Sequence, residues 1–219
     1  MSARIFILIF HGVGEPPRAL EPGEERVWIS RRSLASVLDA AAQRSDVRLT
    51  FDDGNRSDVE LALPELVTRG LRATFFVVAD RIDRPGFLSA RMIRELLEAG
   101  MDVQSHGMHH RQWRGLGARE LDDELVRARA IITDVTQHPV TEVAVPYCLY
   151  DRRVLTAVRA AGYDRVYTCD RGDTDPDGWL QARNQISHGE DHRRLDEITA
   201  PRLATRLEIA LKAPIKRWR

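Results

Sequence analysis

An α/β fold on a mainly parallel sheet is what this chain of 219 residues predicts. Two observations carry that prediction. Short apolar or alternating stretches, the length of buried strands, recur along the chain and are separated by helix-like stretches of about ten residues, which is the rhythm of βαβ units. The strand-like stretches also end in polar residues, notably Asp52-Asp53 and Ser105-His106, so chemistry gathers where strand C-terminal ends open into crevices. Roughly seven strand–helix repeats can be counted. Counting alone leaves a closed barrel and an open doubly wound sheet both standing, with the polar residues on one face in either case. No repeat, linker or composition break divides the chain, so residues 1–219 read as one domain.

Taken in order, Ile5 to Phe10 is a buried strand ending at His11, and residues 15–26, rich in Pro, Glu and Gly, form an irregular loop over the site. Ser30 or Ser33 caps a helix to about Gln43, with Leu34, Val37, Leu38 and Ala41 as its apolar stripe. Val47 to Phe51 is a strand. Ser57 caps a helix that ends near Gly70, with Pro64 kinking it or marking an irregular turn. Strand Ala73 to Val78 is followed by a helix from Ala90 to Ala99, capped by Ser89 and stopped by Gly100. Met101 to Gln104 is a strand, Glu120 to Thr136 the longest helix, and Glu142 to Val145 a strand leading into Pro146-Tyr147. Asp151 starts a helix to Ala161, and Arg165 to Thr168 is a strand. Residues 170–179 form an acidic loop, Gln185 to Ser187 the last strand, and a final helix runs to about Lys212.

Basic and acidic residues number 33 each, so no net field recruits nucleic acid. The apolar start is too short to span a bilayer and lacks a signal-peptide cleavage pattern, so no transmembrane segment is expected and the chain reads as cytoplasmic. Cys148 and Cys169 fit free thiols of a reducing compartment, with a single bridge as the alternative. Cys148 reads as a small buried residue or a reactive thiol. The basic tail Lys212 to Arg219, with Trp218, is a solvated end or a weak membrane-surface contact.

Two neighbouring acids suit a divided task, one holding a cation and the other taking a proton from water, although Asp-Asp-Gly-Asn is also an ordinary turn. His106 and His110, four apart, would share one side of a helical turn within reach of one metal. Two imidazoles and one carboxylate leave a coordination position open, as a reactive rather than structural site requires.

These stretches resemble, in order, the motifs of the polysaccharide deacetylases, the carbohydrate esterases that include chitin and peptidoglycan deacetylases. Thr50-Phe51-Asp52-Asp53-Gly54 is similar to the first motif, His106 to His110 to the two-histidine metal motif, and Val145-Pro146-Tyr147 to the proline-aromatic motif. Ala73 to Val77 is similar to the second core strand, and the resemblance covers roughly residues 4–187. It implies a distorted (β/α)7 barrel, of a circularly permuted kind in which the histidine strand comes first. It further implies Zn²⁺ or another divalent ion on Asp53, His106 and His110, with Asp52 as general base. The backbone N–H of Tyr147 would donate to the oxyanion, Pro146 would belong to the substrate wall, and His11 would be the acid, with His188 as competitor. Arg183 resembles an arginine that would orient Asp52, the alternative being a surface arginine. Trp113 would line a sugar platform or fill the core. Ala144 and Cys148 depart from the arginine and glycine that many members carry beside the proline-aromatic pair.

The expected activity is hydrolysis of an acetyl group from an N-acetylated carbohydrate. A non-sugar amide or ester is the second expectation, and an inactive sugar-binding domain the third.

Overall fold

The computed structural model describes residues 4–201 with residues 205, 208 and 209. Its strands are β1 (Phe6–Phe10), β2 (Val47–Asp53), β3 (Ala73–Val77), β4 (Asp102–Ser105), β5 (Glu142–Ala144), β6 (Arg165–Thr168) and β7 (Leu180–Gln185). All pair in parallel in sequence order, and β7 pairs back onto β1 through Ile7↔Arg183, Leu8↔Asn184 and Ile9↔Gln185. The result is a closed seven-stranded barrel, which settles the choice that strand counting left open. The histidine strand is first in the chain and lies between β7 and β2.

The helices are α1 (Arg31–Ala41), α2 (Leu63–Thr68), α3 (Ala90–Glu98), α4 (Ala118–Asp122), α5 (Ala128–Thr136), α6 (Arg152–Ala160) and α7 (His192–Thr199). Ser30, Ser89 and Asp151 cap α1, α3 and α6 by accepting the N–H of Ser33, Met92 and Val154. Each satisfies a donor that the first helical turn leaves without a partner. Ser57 does not cap with its side chain. Its hydroxyl instead accepts the N–H of Val13, tying the segment after β2 to the one after β1. Pro64 follows a π-helical turn, Asp58–Ala62, so of the two expectations it marks an irregular turn and does not kink a longer α-helix. A second π-helical turn, Asp123–Arg127, joins α4 to α5.

Other expectations are corrected. Between β6 and β7 the connection carries no helix among the described residues, so the strand–helix alternation breaks there. The last strand is Leu180–Gln185, not Gln185 to Ser187, because its buried face is polar and hides the strand pattern. The basic tail from Lys212 lies outside the described residues. No described helix is long and apolar enough to cross a membrane.

One large apolar cluster fills the layer between barrel and helices, and a small one, Ile5, Ile7, Phe76, Ala144 and Tyr167, fills the barrel interior. In the outer layer Phe51 lies between Phe10 and Phe75, with ring centroids 5.0 and 4.8 Å away, stacking across β1, β2 and β3. Such offset stacks add to the burial of the rings themselves. Phe75→Ala should lower unfolding free energy by about 3–5 kcal/mol, the usual cost of emptying a buried phenylalanine site. A denaturant midpoint within experimental error of wild type would contradict this packing.

Candidate metal centre

Adjacent residues of a strand point to opposite faces, so Asp52 and Asp53 should part company. Asp52 ends on the barrel interior side, in register with Phe76. Asp53 takes a left-handed backbone, φ 78°, followed by Gly54 at φ 68°, and the turn brings its carboxylate back into the same cleft. Aspartate tolerates this region better than bulkier residues do. Both acids are 3 % exposed.

His106 follows β4, its N–H donating to the carbonyl of Val77 at 2.8 Å. His110 sits in an irregular loop at φ 52°, so the helical turn expected between the two imidazoles is absent. They converge nonetheless, with ring centroids 5.3 Å apart. His106 Nε2 is 3.5 Å and His110 Nε2 3.0 Å from Asp53 Oδ1. One ligand atom from each of the three lies within 4.8 Å of the others. Asp53 Oδ1 is buried and faces the Nε2 atoms of both imidazoles, and the Nδ1 of His106 donates to the carbonyl of Ala144 at 2.9 Å, leaving its Nε2 with the lone pair facing in. Two nitrogens and a buried carboxylate oxygen in this arrangement fit a divalent ion of the zinc type.

Arg183 is fully buried and is not a surface residue. Its Nη1 and Nη2 donate to Asp52 Oδ1 and Oδ2 at 2.7 and 2.8 Å, and Nη1 also reaches Thr50 Oγ1 at 3.1 Å. Burial would raise the Asp52 pKa, but the Arg183 guanidinium and neighbouring imidazoles hold it below the usual range. Asp53 is likewise pulled well below that range, against its own burial, by His110. Burial pushes His106 down to about 4. It works against His110 too, yet the charge and hydrogen bonding of Asp53 raise that group to about 9.

The cleft, about 460 Å³, is lined by His11, Asp52, Asp53, His106, His110 and Tyr147 among others, with residues 21–24 of the irregular loop along one side. His188 lies elsewhere, on a separate cavity beside Trp28, its Nδ1 donating to the Trp28 carbonyl at 3.0 Å. Tyr147, at φ 54°, turns its hydroxyl to within 3.1 Å of His110 Nδ1. Pro146 is buried and does not line the cleft, where its neighbours Val145 and Tyr147 do. Trp113 is corrected outright. It is fully buried with its indole N–H on Glu124, so it offers no sugar platform. Cys148 and Cys169 are joined as a disulfide at the cleft wall, which removes both the free-thiol reading and the compartment argument built on it.

Sequence reasoning passed over two residues that shape this centre. Glu21, in the loop over the site, pairs with Arg81 and lies 3.6 Å from His110 Nδ1, and hydrogen bonding to His110 lowers its pKa to about 2. Arg81 places Nη1 3.7 Å from Asp53 Oδ1. An irregular Pro-Glu-Gly loop gives no periodic signal for either contact. A polar cavity of about 610 Å³ also opens at the opposite, N-terminal end of the barrel. Its acids are already engaged, Glu142 by Arg165 and Tyr167 and Asp102 by Gln104.

Residues 39–166 match the family described as polysaccharide deacetylase. YxkH of Bacillus subtilis is 22 % identical over 198 residues, spanning 84 % of this chain and 71 % of that protein. The peptidoglycan-N-acetylglucosamine deacetylase PgdA of Listeria monocytogenes is 29 % identical over 152 residues, 63 % of this chain and 32 % of PgdA. Among solved structures, the Streptococcus pyogenes deacetylase PplD in complex with acetate superposes with TM-score 0.80 at 17 % identity, over 92 % of this chain and all of that one. The Bacillus cereus polysaccharide deacetylase BC0361 does so with TM-score 0.77 at 20 % identity, over 89 % and 68 %. At these identities the superpositions speak for the barrel fold.

The two imidazoles make metal-free stability depend on pH with opposite signs. His110, raised to about 9 when folded, contributes fully below its unfolded value near 6.5 and loses that contribution as pH climbs toward 9. His106, depressed to about 4, contributes fully above about 6.5 and loses it as pH falls toward 4. The thermal midpoint of metal-free protein should therefore peak near pH 6.5. A midpoint that rises steadily from pH 6.5 to 9 would show that His110 is not held as a cation by Asp53.

Proposed function

The chain belongs to the polysaccharide deacetylase family, and from that premise we propose that it hydrolyses the N-acetyl group of a sugar residue in a polymer or oligosaccharide. The observation that carries this reading is the pairing of two tasks in one cleft. Asp53 joins two imidazoles while Asp52, one residue away, is held in both oxygens by Arg183.

Asp53, His106 and His110 would hold the divalent ion, proposed as Zn²⁺ from the nitrogen and oxygen donor set, and it would supply Lewis-acid polarisation of the acyl oxygen and a more acidic water. The remaining chemistry falls to this chain's own groups. Asp52 takes the proton from the attacking water. Its carboxylate keeps further lone pairs after the bidentate arginine contact, and the guanidinium keeps it ionised and aimed. The backbone N–H of Tyr147 donates to the oxyanion that forms. His11, on the wall of the same cleft, gives a proton to the departing amine nitrogen. His188, facing another cavity, is the weaker candidate for that step.

Zinc-loaded protein should release acetate from N-acetylglucosamine oligomers. Asp52→Asn should keep the ion and lose turnover on the order of 10²–10⁴-fold, since an amide takes no proton. His11→Ala should keep the ion too, with a large loss on the amide and a smaller one on an activated ester, whose leaving group needs no proton. Acetate from small non-sugar amides or esters, with none from the oligomers, would move the substrate class. Normal turnover by Asp52→Asn would remove the assigned base.

A further inference from the structure

Between the two imidazoles the chain must turn twice through left-handed backbone, at Gly107 (φ 82°) and His110 (φ 52°), with no helix or strand to fix it. The carbonyls of this segment are held from one side. Ala79 and Asp80, just after β3, donate their N–H groups to the carbonyls of Gly107 and Met108 at 3.0 Å each. The N–H of Gly107 donates to Ser105 Oγ at 3.2 Å, and those of Met108 and His109 are held from the other side by a single carboxylate. Glu124 is fully buried, in the π-helical turn between α4 and α5, and its Oε2 accepts the N–H of Met108 at 2.8 Å and of His109 at 3.2 Å. The same oxygen accepts the indole N–H of Trp113 at 3.3 Å, and Oε1 accepts Nε of Arg111 at 3.0 Å.

The fit is close enough to dictate the residue above it. A Cβ built at Gly107 would lie 2.7 Å from Glu124 Oε2. Only glycine leaves room for the carboxylate beneath the turn, and only glycine takes φ 82° without strain. A glutamate is almost never fully buried unless it is paired. Here the partners are four donors from residues 108, 109, 111 and 113, all of them in or just after the loop. An ionised carboxylate accepts at both oxygens and donates nowhere, whereas a glutamine of the same shape would turn an NH₂ group toward some of these donors.

We propose that Glu124 is the positioning residue of the metal loop, fixing the separation and aim of His106 and His110 through the backbone between them. The proposal rests on the reading of Asp53, His106 and His110 as ligands. Residues that hold a ligand in place typically account for 10–100-fold in metal affinity. Buried carboxylates also stabilise a fold through their partners, so the test separates the two roles.

Zinc affinity should be measured by competition with a chromophoric chelator, on wild type and on E124Q, with far-UV circular dichroism and thermal melts of the metal-free proteins alongside. Folded E124Q should bind zinc about 10–100-fold more weakly. A purely structural Glu124 would lower the thermal midpoint and leave the affinity of folded E124Q at the wild-type value, which would overturn the proposal. Amide hydrogen exchange on metal-free wild type covers the case in which E124Q does not fold. The Met108 and His109 amides should be protected as well as those of β4, and exchange at the rate of open loop amides would overturn the proposal. Wild type that takes up no zinc, with these two amides protected, would instead strike the ligand reading and leave the loop-holding contact standing.

Discussion

Two carboxylates one residue apart, both buried and both facing one cleft, are the constraint from which the rest of this structure follows. Such a pair repels itself, and each member loses its water. The two are compensated from different directions. Asp52 is met from inside the barrel by Arg183, whose guanidinium stands 5.1 Å from the ring centre of Phe76 and 5.8 Å from that of Tyr167. Asp53 is met from outside the barrel rim by His110, with Arg81 beyond it. Because Arg183 lies on β7 and Asp52 on β2, with β1 between them, the contact requires the last strand to pair beside the first. The β7–β1 pairing is thus a condition of the site as well as of the fold.

The proposed division of labour between the acids would have the same origin. An arginine cannot be deprotonated, so Asp52 keeps a permanent counter-charge and remains a carboxylate. An imidazole can give up its proton, so the partner of Asp53 is one that a cation can replace. On the proposed reading, the neighbours of each acid would sort one toward proton transfer and the other toward ion binding, before any substrate arrives.

How far this was legible in the sequence depended on whether a residue obeyed a period. The apolar stripe Leu34, Val37, Leu38 and Ala41 and the caps Ser30, Ser89 and Asp151 follow local rules, and they stand where those rules put them. The sequence pattern misplaces strand β7 because its buried positions hold Gln181, Arg183 and Asn184, which bond to the backbone and to Asp52 instead of repeating an apolar pattern. His106 and His110 converge, but by a route the spacing does not predict. Four-residue spacing suggested a helix, but the imidazoles meet through two left-handed residues held by long-range bonds. Trp113 was open to two readings because an indole on an irregular segment gives no sign of which way it faces. Glu124 did leave a trace, an acid placed among Leu121, Leu125 and Ala128 where the helical period calls for an apolar side chain. The disulfide joins residues at the ends of two strands, and only their adjacency in the barrel brings Cys148 to Cys169.

The seam between β4 and β5 is the thinnest in the wall, with Ser105↔Val143 as its one register pair. One residue further along, His106 Nδ1 donates to the carbonyl of Ala144, so an imidazole occupies the place of the next rung in that ladder. The side chain that would face an ion with one nitrogen thus stitches two staves of the barrel with the other. Whatever tilts that ring is felt by the wall, and whatever spreads the wall is felt by the ring.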